Sequence, residues 1–418
     1  MSDSSPACPA IAGGNPIRNK AEQIIYGAPL IGEDEVHAVA DCIRSRWIGL
    51  GPRVREFESA FARYKGAPYA TAVNSGSAAL HLALIAVGVG EGDEVIVPTM
   101  TFCASAHAVI HAGGTPVFVD CQSSTYNIDC ELIEQSITPR TKAIMVVHIG
   151  GRCCDMRAVM AVAEKYDLRV IEDCAHAIES EYFGTGAGLL GDVGCFSFYA
   201  TKSITTADGG MVITKDKKIN QAAQRLVSHG MNCDAWSRIQ GSGNSYDVFA
   251  AGFKYNMTDI EASIGLVQLR GLEERWKARR RIWQSYDEML RDLSVTIPTS
   301  IEEGTRHGYH IYSVLLDIDS LTVGVSEVVK AMKAENIGTG VHYTPLHMLH
   351  YYAELKGHHP EDFPAAHHIG LRTLSLPLNA DLSDKDVSDV VDALRRILTY
   401  YARGQRPDAL TFAASTSN

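Results

Sequence analysis

The chain has 418 residues, of which 46% are hydrophobic and 21% charged, the make-up of an ordinary globular protein with a core large enough for two domains. Its 38 basic and 49 acidic residues leave a net charge of −11, which argues against nucleic-acid or anionic-membrane partners, since both want a basic face. No apolar run is long enough to span a bilayer and the opening MSDSSPACPAIAGGNP lacks a secretory plan, so a cytoplasmic protein with reduced cysteines is expected.

Residues 1–24 are small, polar and aperiodic and are expected to form a mobile arm, with a disordered tail over 404–418. A helix is predicted over 33–46, where Val36, Val39, Ala40 and Ile43 share a face, and another over 54–64. Strand 69–73 then turns through Asn74-Ser75-Gly76 into the apolar helix 77–88. The pattern repeats: strand 95–98 with helix 103–112, strand 116–120 with helix 130–137, strand 142–148 with helix 155–166. Strands 168–173, 193–198 and 210–214 follow. These runs are apolar on both faces, as in a mainly parallel sheet covered by helices on both sides. Residues 25–270 therefore read as a large α/β domain. A long helix from Thr258 to about Leu293 is expected to lead into a smaller α+β domain. That part, 271–403, offers strand 311–317, helix 326–335, strand 338–343 and a last helix 384–400.

In open parallel sheets, ligands bind at the carboxyl ends of the strands, and three such ends carry polar residues. Ser75-Gly76-Ser77 opens a helix, where free amides, the helix dipole and the Ser77 hydroxyl suit a phosphate. Glu172-Asp173 closes a strand and is followed by Cys174-Ala175-His176. Phe196 to Lys202 runs from a strand into a loop holding one lysine among small and hydroxyl residues. Singly these are weak signals: small residues start many helices, an acid at a strand mouth is often a helix cap, and a loop lysine is usually solvated. Together with Phe102, an aromatic just beyond strand 95–98, they match the needs of pyridoxal phosphate. That cofactor requires a lysine to form an imine, a carboxylate for the pyridine nitrogen, a phosphate cup and a flat face for the ring.

Two other patterns carry less. Gly186-Ala187-Gly188-Leu189-Leu190-Gly191 fits a dinucleotide fingerprint but follows no clear strand and opens no helix, so no nicotinamide site is expected. The histidines at 347, 350, 358, 359, 367 and 368 could suggest a metal, but the doublets sit beside Pro, Glu and Asp in what reads as a surface loop, and no metal is expected there.

Several long motifs then appear in one order: WIGLGPRVREFE (47–58), NSGSAAL (74–80), PTMTFCAS (98–105), VIEDCAHA (170–177), FSFYATKSITTADGGM (196–211), GFKYNMTDIEASIGLVQL (252–269) and GVHYTPLH (340–347). On these the chain, from about 26 to 402, resembles the sugar aminotransferases named for DegT, DnrJ, EryC and StrS, of fold type I. The resemblance implies that Lys202 forms the Schiff base with pyridoxal 5′-phosphate and afterwards shuttles the proton, with pyridoxamine 5′-phosphate as the other cofactor form. It implies that Asp173 pairs with the pyridinium nitrogen and His176 contacts the phenolic oxygen, where relatives often carry Gln. Gly76, Ser77 and Ser197 would hold the phosphate, with Asn256 reaching in from a second subunit, which makes the enzyme a homodimer with shared sites. Phe102 would stack on one ring face and Ala175 lie against the other. Lys254 and His347 would meet the sugar, and the Lys254-Tyr255-Asn256 motif resembles the branch that makes 4-amino sugars.

The implied reaction moves an amino group from an amino acid, glutamate being the expected donor, to a nucleotide-linked keto sugar. The family also holds dehydrating members, which carry His where Lys202 stands here. A third possibility within the same chemistry is a non-nucleotide ring ketone such as a keto-inositol.

Overall fold

The computed structural model describes residues 8–232, 236 and 245–404; the expected tail beyond Gly404 lies outside the described residues. The main sheet is built from β1 (Tyr69–Val73), β2 (Glu94–Pro98), β3 (Thr115–Val119), β4 (Thr141–Val147), β5 (Arg169–Asp173), β6 (Val193–Ser197) and β7 (Gly210–Thr214). Their order across the sheet is β1-β7-β6-β5-β4-β2-β3. Only β7 runs antiparallel to its neighbours, and the rest are parallel. Every residue of β2, β6 and β7 is buried, the two-sided burial expected of strands sandwiched between helices.

The helix after β1, α1 (Gly76–Ala86), is buried continuously from Ala78 to Leu84 because it lies between the sheet and other helices. The helix after β2, α2 (Cys103–His111), buries Ser105, Ala106, Ala108 and Val109. Val97, Leu82 and Phe118 meet in one apolar cluster with Leu346, Tyr352, Phe363 and Ile369. Residues 346–369 therefore pack on the large sheet although they follow the small domain in sequence. Asp120 fixes them there by accepting the amides of Ala365 (2.9 Å) and Ala366 (2.8 Å).

A second sheet of Val295–Thr296, Tyr312–Leu316 and Thr373–Leu376 carries the smaller core, with helices Val325–Ala334 and Asp384–Tyr401 packed on it. Three expectations change here. The single long helix is two, Asp259–Arg270 and Leu272–Met289, because Gly271 leaves the helical region (ψ 5°) and Leu272 turns fully into the core. The strand expected over 338–343 is irregular: only Gly340 pairs, with Ser375, and the chain then swings toward the large domain. The partner strand Thr373–Leu376 is only four residues long and is not among the expected elements.

The third change concerns the N-terminal arm. Residues from 8 onward are docked, not free, because the fully buried Glu335 accepts the amides of Ala10 and Ile17, both at 2.8 Å. Arg396 lies 3.5 Å from the same carboxylate, and Arg18 pairs with Asp386 and Asp389 at 2.7 Å each. Ile24 enters the small core and pairs with Ile337. The arm thereby delivers residues 26–30 across the loop that holds Lys202, so close that a side chain on Gly27 would meet Thr201 at 2.9 Å.

Glu335→Ala is expected to lower stability by about 3 kcal/mol, the scale of breaking a buried ion pair, and to free the arm. Urea unfolding gives the first, and faster amide exchange at Ala10 and Ile17 than at Val328 gives the second.

Candidate active site

The carboxyl ends of β1, β2, β5 and β6 open onto one cavity of about 350 Å³. Gly76, Ser77, Phe102, Asp173, Ala175, His176, Ser197 and Lys202 all line it. The sequence places these residues on four separate segments, and the sheet order brings them together.

At one end sits the start of α1. Ser75 caps the helix by accepting the Ala78 amide at 3.1 Å, which leaves the following turn of amides and the Ser77 hydroxyl facing the cavity. Gly76 is required by close approach: a Cβ there would lie 2.7 Å from the Ser197 Cβ. A helix N-terminus backed by two serines is a cup for a phosphate dianion. The adjoining segment is tied on, since the Asn74 amide donates to the Tyr255 carbonyl at 2.7 Å.

Asp173 lies deep in the cavity, 6% exposed. Its Oδ1 accepts the Ala175 amide at 3.1 Å and its Oδ2 accepts the Ser105 hydroxyl at 2.8 Å. Burial pushes its carboxyl above the usual value, and those two hydrogen bonds and the Lys202 charge offset only part of that shift. The preceding Glu172 points through the sheet to the other side. There it meets His148 at 3.0 Å and accepts the amides of Gly188, Leu190 and Gly191 at 2.8, 2.8 and 2.7 Å. Burial would push Glu172 up, but His148 and the glycine amides outweigh it and hold the carboxyl below its usual range. The glycine-rich turn that resembled a nucleotide fingerprint is thus an anion cup occupied by the protein's own carboxylate.

Among the described residues, one group of His, Cys and carboxylate atoms is close enough together for a metal: His148, Glu172 and Cys174. Two of its three members are already engaged, since His148 Nδ1 accepts the Cys154 amide (3.1 Å) while Nε2 faces Glu172.

Lys202 follows β6 in a turn closed by its own amide donating to the Tyr199 carbonyl at 2.9 Å. The loop is anchored at Phe198, which packs on Phe57 and Phe61, and it returns by pairing Thr206 with Phe198. Burial lowers the Lys202 amine from its ordinary value to about 8, with Asp173 opposing that shift. An amine so placed is a nucleophile and a base near neutrality.

The remaining wall is aromatic. His176 accepts the Gly150 amide at Nδ1 (3.3 Å), so its proton sits on Nε2 and points to the Tyr343 hydroxyl, 3.1 Å away. The His310 ring lies 4.8 Å from that of His176. Burial and the nearby Lys202 push His176, His310 and His342 down, His342 to about 4, so all three are neutral. Phe102 stands 58% exposed at the cavity edge with Tyr343 at 6.2 Å.

Three expected site residues are not brought here. His347 is in the core, its Nδ1 2.8 Å from the Thr99 hydroxyl and its ring packed on Phe363. It holds residues 346–369 against β2 and does not line the cavity. Lys254 is exposed and donates to Asn256 at 2.5 Å, and Asn256 lines a different cavity, beside Arg55, Glu58 and Ser228. Conversely, Tyr343 and His342 line the site and were not singled out. They sit in the same GVHYTPLH motif as His347, and the signal was present: two polar aromatics in a run read as a strand. Thr101, Tyr199 and Asp208 also line the cavity.

The amine of Lys202 in cofactor-free protein should react with an amine-directed reagent with an apparent pKa near 8. In Asp173→Asn the value should fall further, because the carboxylate is what opposes the effect of burial. Peptide mass spectrometry of labelling rate against pH measures both.

Comparison with known proteins agrees with this geometry. The profile of the DegT/DnrJ/EryC1/StrS aminotransferase family matches residues 29–395. The chain is 43% identical over 375 residues to the spore coat polysaccharide biosynthesis protein SpsC of Bacillus subtilis, covering 89% of this chain and 96% of SpsC. It is 40% identical over 381 residues to the GDP-perosamine synthase of Caulobacter vibrioides, covering 90% and 98%. Among solved structures it resembles Spr1654 of Streptococcus pneumoniae in its PMP-form, a protein provisionally assigned as a sugar aminotransferase. That match has a TM-score of 0.83 at 33% identity and covers 90% and 98% of the two chains. The chain belongs to the DegT/DnrJ/EryC1/StrS aminotransferase family, and is thus a pyridoxal-phosphate-dependent enzyme that transfers amino groups to sugars.

Proposed function

We propose that this enzyme moves the amino group of an amino acid, L-glutamate, to the 4-keto group of a nucleotide-linked sugar. The observation that carries the reading is the convergence of Lys202, Asp173 and the Gly76–Ser77 helix start on one cavity. When bound, pyridoxal phosphate holds the amino group between donor and acceptor and withdraws electrons from the carbon that gives up a proton. The chain's own groups do the rest. The α1 amides, Ser77 and Ser197 would bind the phosphate, and Asp173 would hold the proton on the pyridine nitrogen. His176 can only donate from Nε2, which suits the phenolic oxygen. Lys202 would hold the cofactor between turnovers and move the proton between the two reacting carbons.

A lysine at position 202 favours amino transfer over dehydration, because the dehydrating relatives resembled here have histidine in its place. A nucleotide-linked acceptor is supported by the GDP-perosamine synthase likeness. The 4-keto position rests on the Lys254-Tyr255-Asn256 motif. Lys254 and Asn256 lie away from their own chain's cavity, while the Tyr255 carbonyl between them accepts the amide of Asn74, just before the Ser75–Gly76 turn. That fits a homodimer in which each subunit's Asn256 serves its partner's phosphate cup.

The purified enzyme should aminate 4-keto sugars on GDP, UDP or TDP carriers in a glutamate-dependent reaction, and Lys202→Ala should lower kcat on the order of 10³-fold or more. A product without new nitrogen would establish dehydration, and a free keto-inositol as the better acceptor would remove the nucleotide. Mixed Lys202→Ala and Asn256→Ala subunits should regain activity on co-assembly if the sites are shared; persistent inactivity would exclude sharing.

A further inference from the structure

Asp173 has a problem that its partner-in-waiting does not solve. A carboxylate taken out of water must find hydrogen bonds for its oxygens or take up a proton. A protonated Asp173 could not hold a positive charge on a pyridine nitrogen. Two groups meet it from the protein: the Ala175 amide on Oδ1 and the Ser105 hydroxyl on Oδ2. The amide is built into the turn that follows β5, whereas Ser105 comes from α2, on another strand's connection.

Ser105 is itself fully buried, and so is Thr101, 2% exposed, whose hydroxyl is 2.9 Å from that of Ser105. Because the Ser105 proton points at an acceptor-only carboxylate, the Thr101 proton must point at Ser105. The result is a one-way relay of hydroxyls, Thr101 to Ser105 to Asp173, each bond polarising the next in a low-dielectric interior. Its geometry comes from one short segment. Phe102 takes the position before the first turn of α2 and stays at the cavity mouth, while Ser105 falls on the inward face a turn later.

We propose that Ser105, aligned by Thr101, is a positioning residue that keeps Asp173 as an oriented carboxylate aimed at the pyridine nitrogen of the cofactor. The inference rests on the reading of Asp173 given above. Ser105 touches neither substrate nor the reacting carbons; it acts through Asp173.

The groups facing Asp173 decide how the test reads. They are Lys202, His148, Tyr343, Cys174 and Cys195. His148 is committed to Glu172, and burial keeps the Tyr343 phenol and both thiols neutral through the acid range. Lys202 loses its proton only near 8, above that range. His176 and His342 line the same cavity, His342 lowered to about 4, but both are common to wild type and variant. A displacement of the acid limb of cofactor binding on removing the Ser105 hydroxyl is therefore a change at Asp173.

Cofactor-free enzyme is titrated with pyridoxal phosphate from pH 4 to 9 (roughly the span of the groups concerned), and the dissociation constant is read from protein fluorescence. Ser105→Ala should bind on the order of tenfold more weakly at neutral pH. The bound state must hold Asp173 as an oriented anion without that charged hydrogen bond, whereas the free enzyme can let the carboxyl turn or take a proton. Its acid limb should move to higher pH, because a carboxylate with one donor fewer takes a proton sooner. Ser105→Thr, which keeps the hydroxyl, should restore the wild-type curve, and Thr101→Val should shift it the same way by less. Wild-type binding in Ser105→Ala, or a Ser105→Thr curve as displaced as that of Ser105→Ala, would overturn the proposal. If Ser105→Ala does not fold, Thr101→Val decides, and an unmoved acid limb there overturns it. Asp173→Asn separates the two levels. Unchanged binding in that variant removes the role of Asp173 itself, while weakened binding beside a normal Ser105→Ala removes only the role of Ser105.

Discussion

Taking the Lys202 amine out of water is the constraint on which the rest of the site depends. Burial favours the neutral amine and, against the opposing charge of Asp173, brings its pKa to about 8. Every charged group added nearby would shift that balance, and the surroundings are arranged accordingly. His176, His310 and His342 are all held neutral by burial, so three imidazoles can crowd one lysine without adding positive charge. The carboxylate whose charge opposes that shift is Asp173, and the Ser105 and Ala175 donors favour its ionised form against burial.

The scaffold separates chemistry from architecture at one residue's resolution. Glu172 and Asp173 are neighbours on β5, and the pleat sends them to opposite faces of the sheet. One is spent on His148 and the 186–191 turn, where it locks two loops, and the other lines the cavity. The same economy recurs at 342–347. His342 and Tyr343 reach the cavity and His347 clamps residues 346–369 to β2. The docked N-terminal arm completes the enclosure by carrying residues 26–30 over the Lys202 loop.

Much of this was legible in the sequence because strand ends are. Apolar runs marked the strands, their carboxyl ends named Gly76, Ser77, Phe102, Asp173 and Lys202, and the family resemblance added His176 and Ser197, all found on one cavity. Residues on irregular backbone were not legible. Tyr343 and His342 sit in a run that reads as a strand, and His347 reads as a pocket residue from its place in the GVHYTPLH motif. The arm was read as mobile because its anchor, Glu335, lies in a different helix and speaks only through two backbone amides. Ser105 and Thr101 were present in the quoted PTMTFCAS motif, but no spacing rule says which hydroxyl faces a carboxylate from another strand. Gly271, a poor helix former, marks the break, but the stretch from Thr258 to Leu293 reads as one helix because both sides of it are helical.

The claim at the centre is that Lys202 is the one lysine that holds the cofactor. Borohydride fixation of the cofactor-loaded enzyme, followed by digestion and peptide mass spectrometry, tests it without assuming any substrate. A phosphopyridoxyl group on Lys202 and on no other lysine is the predicted result. An unmodified Lys202, or the adduct on another lysine such as Lys254, would contradict it.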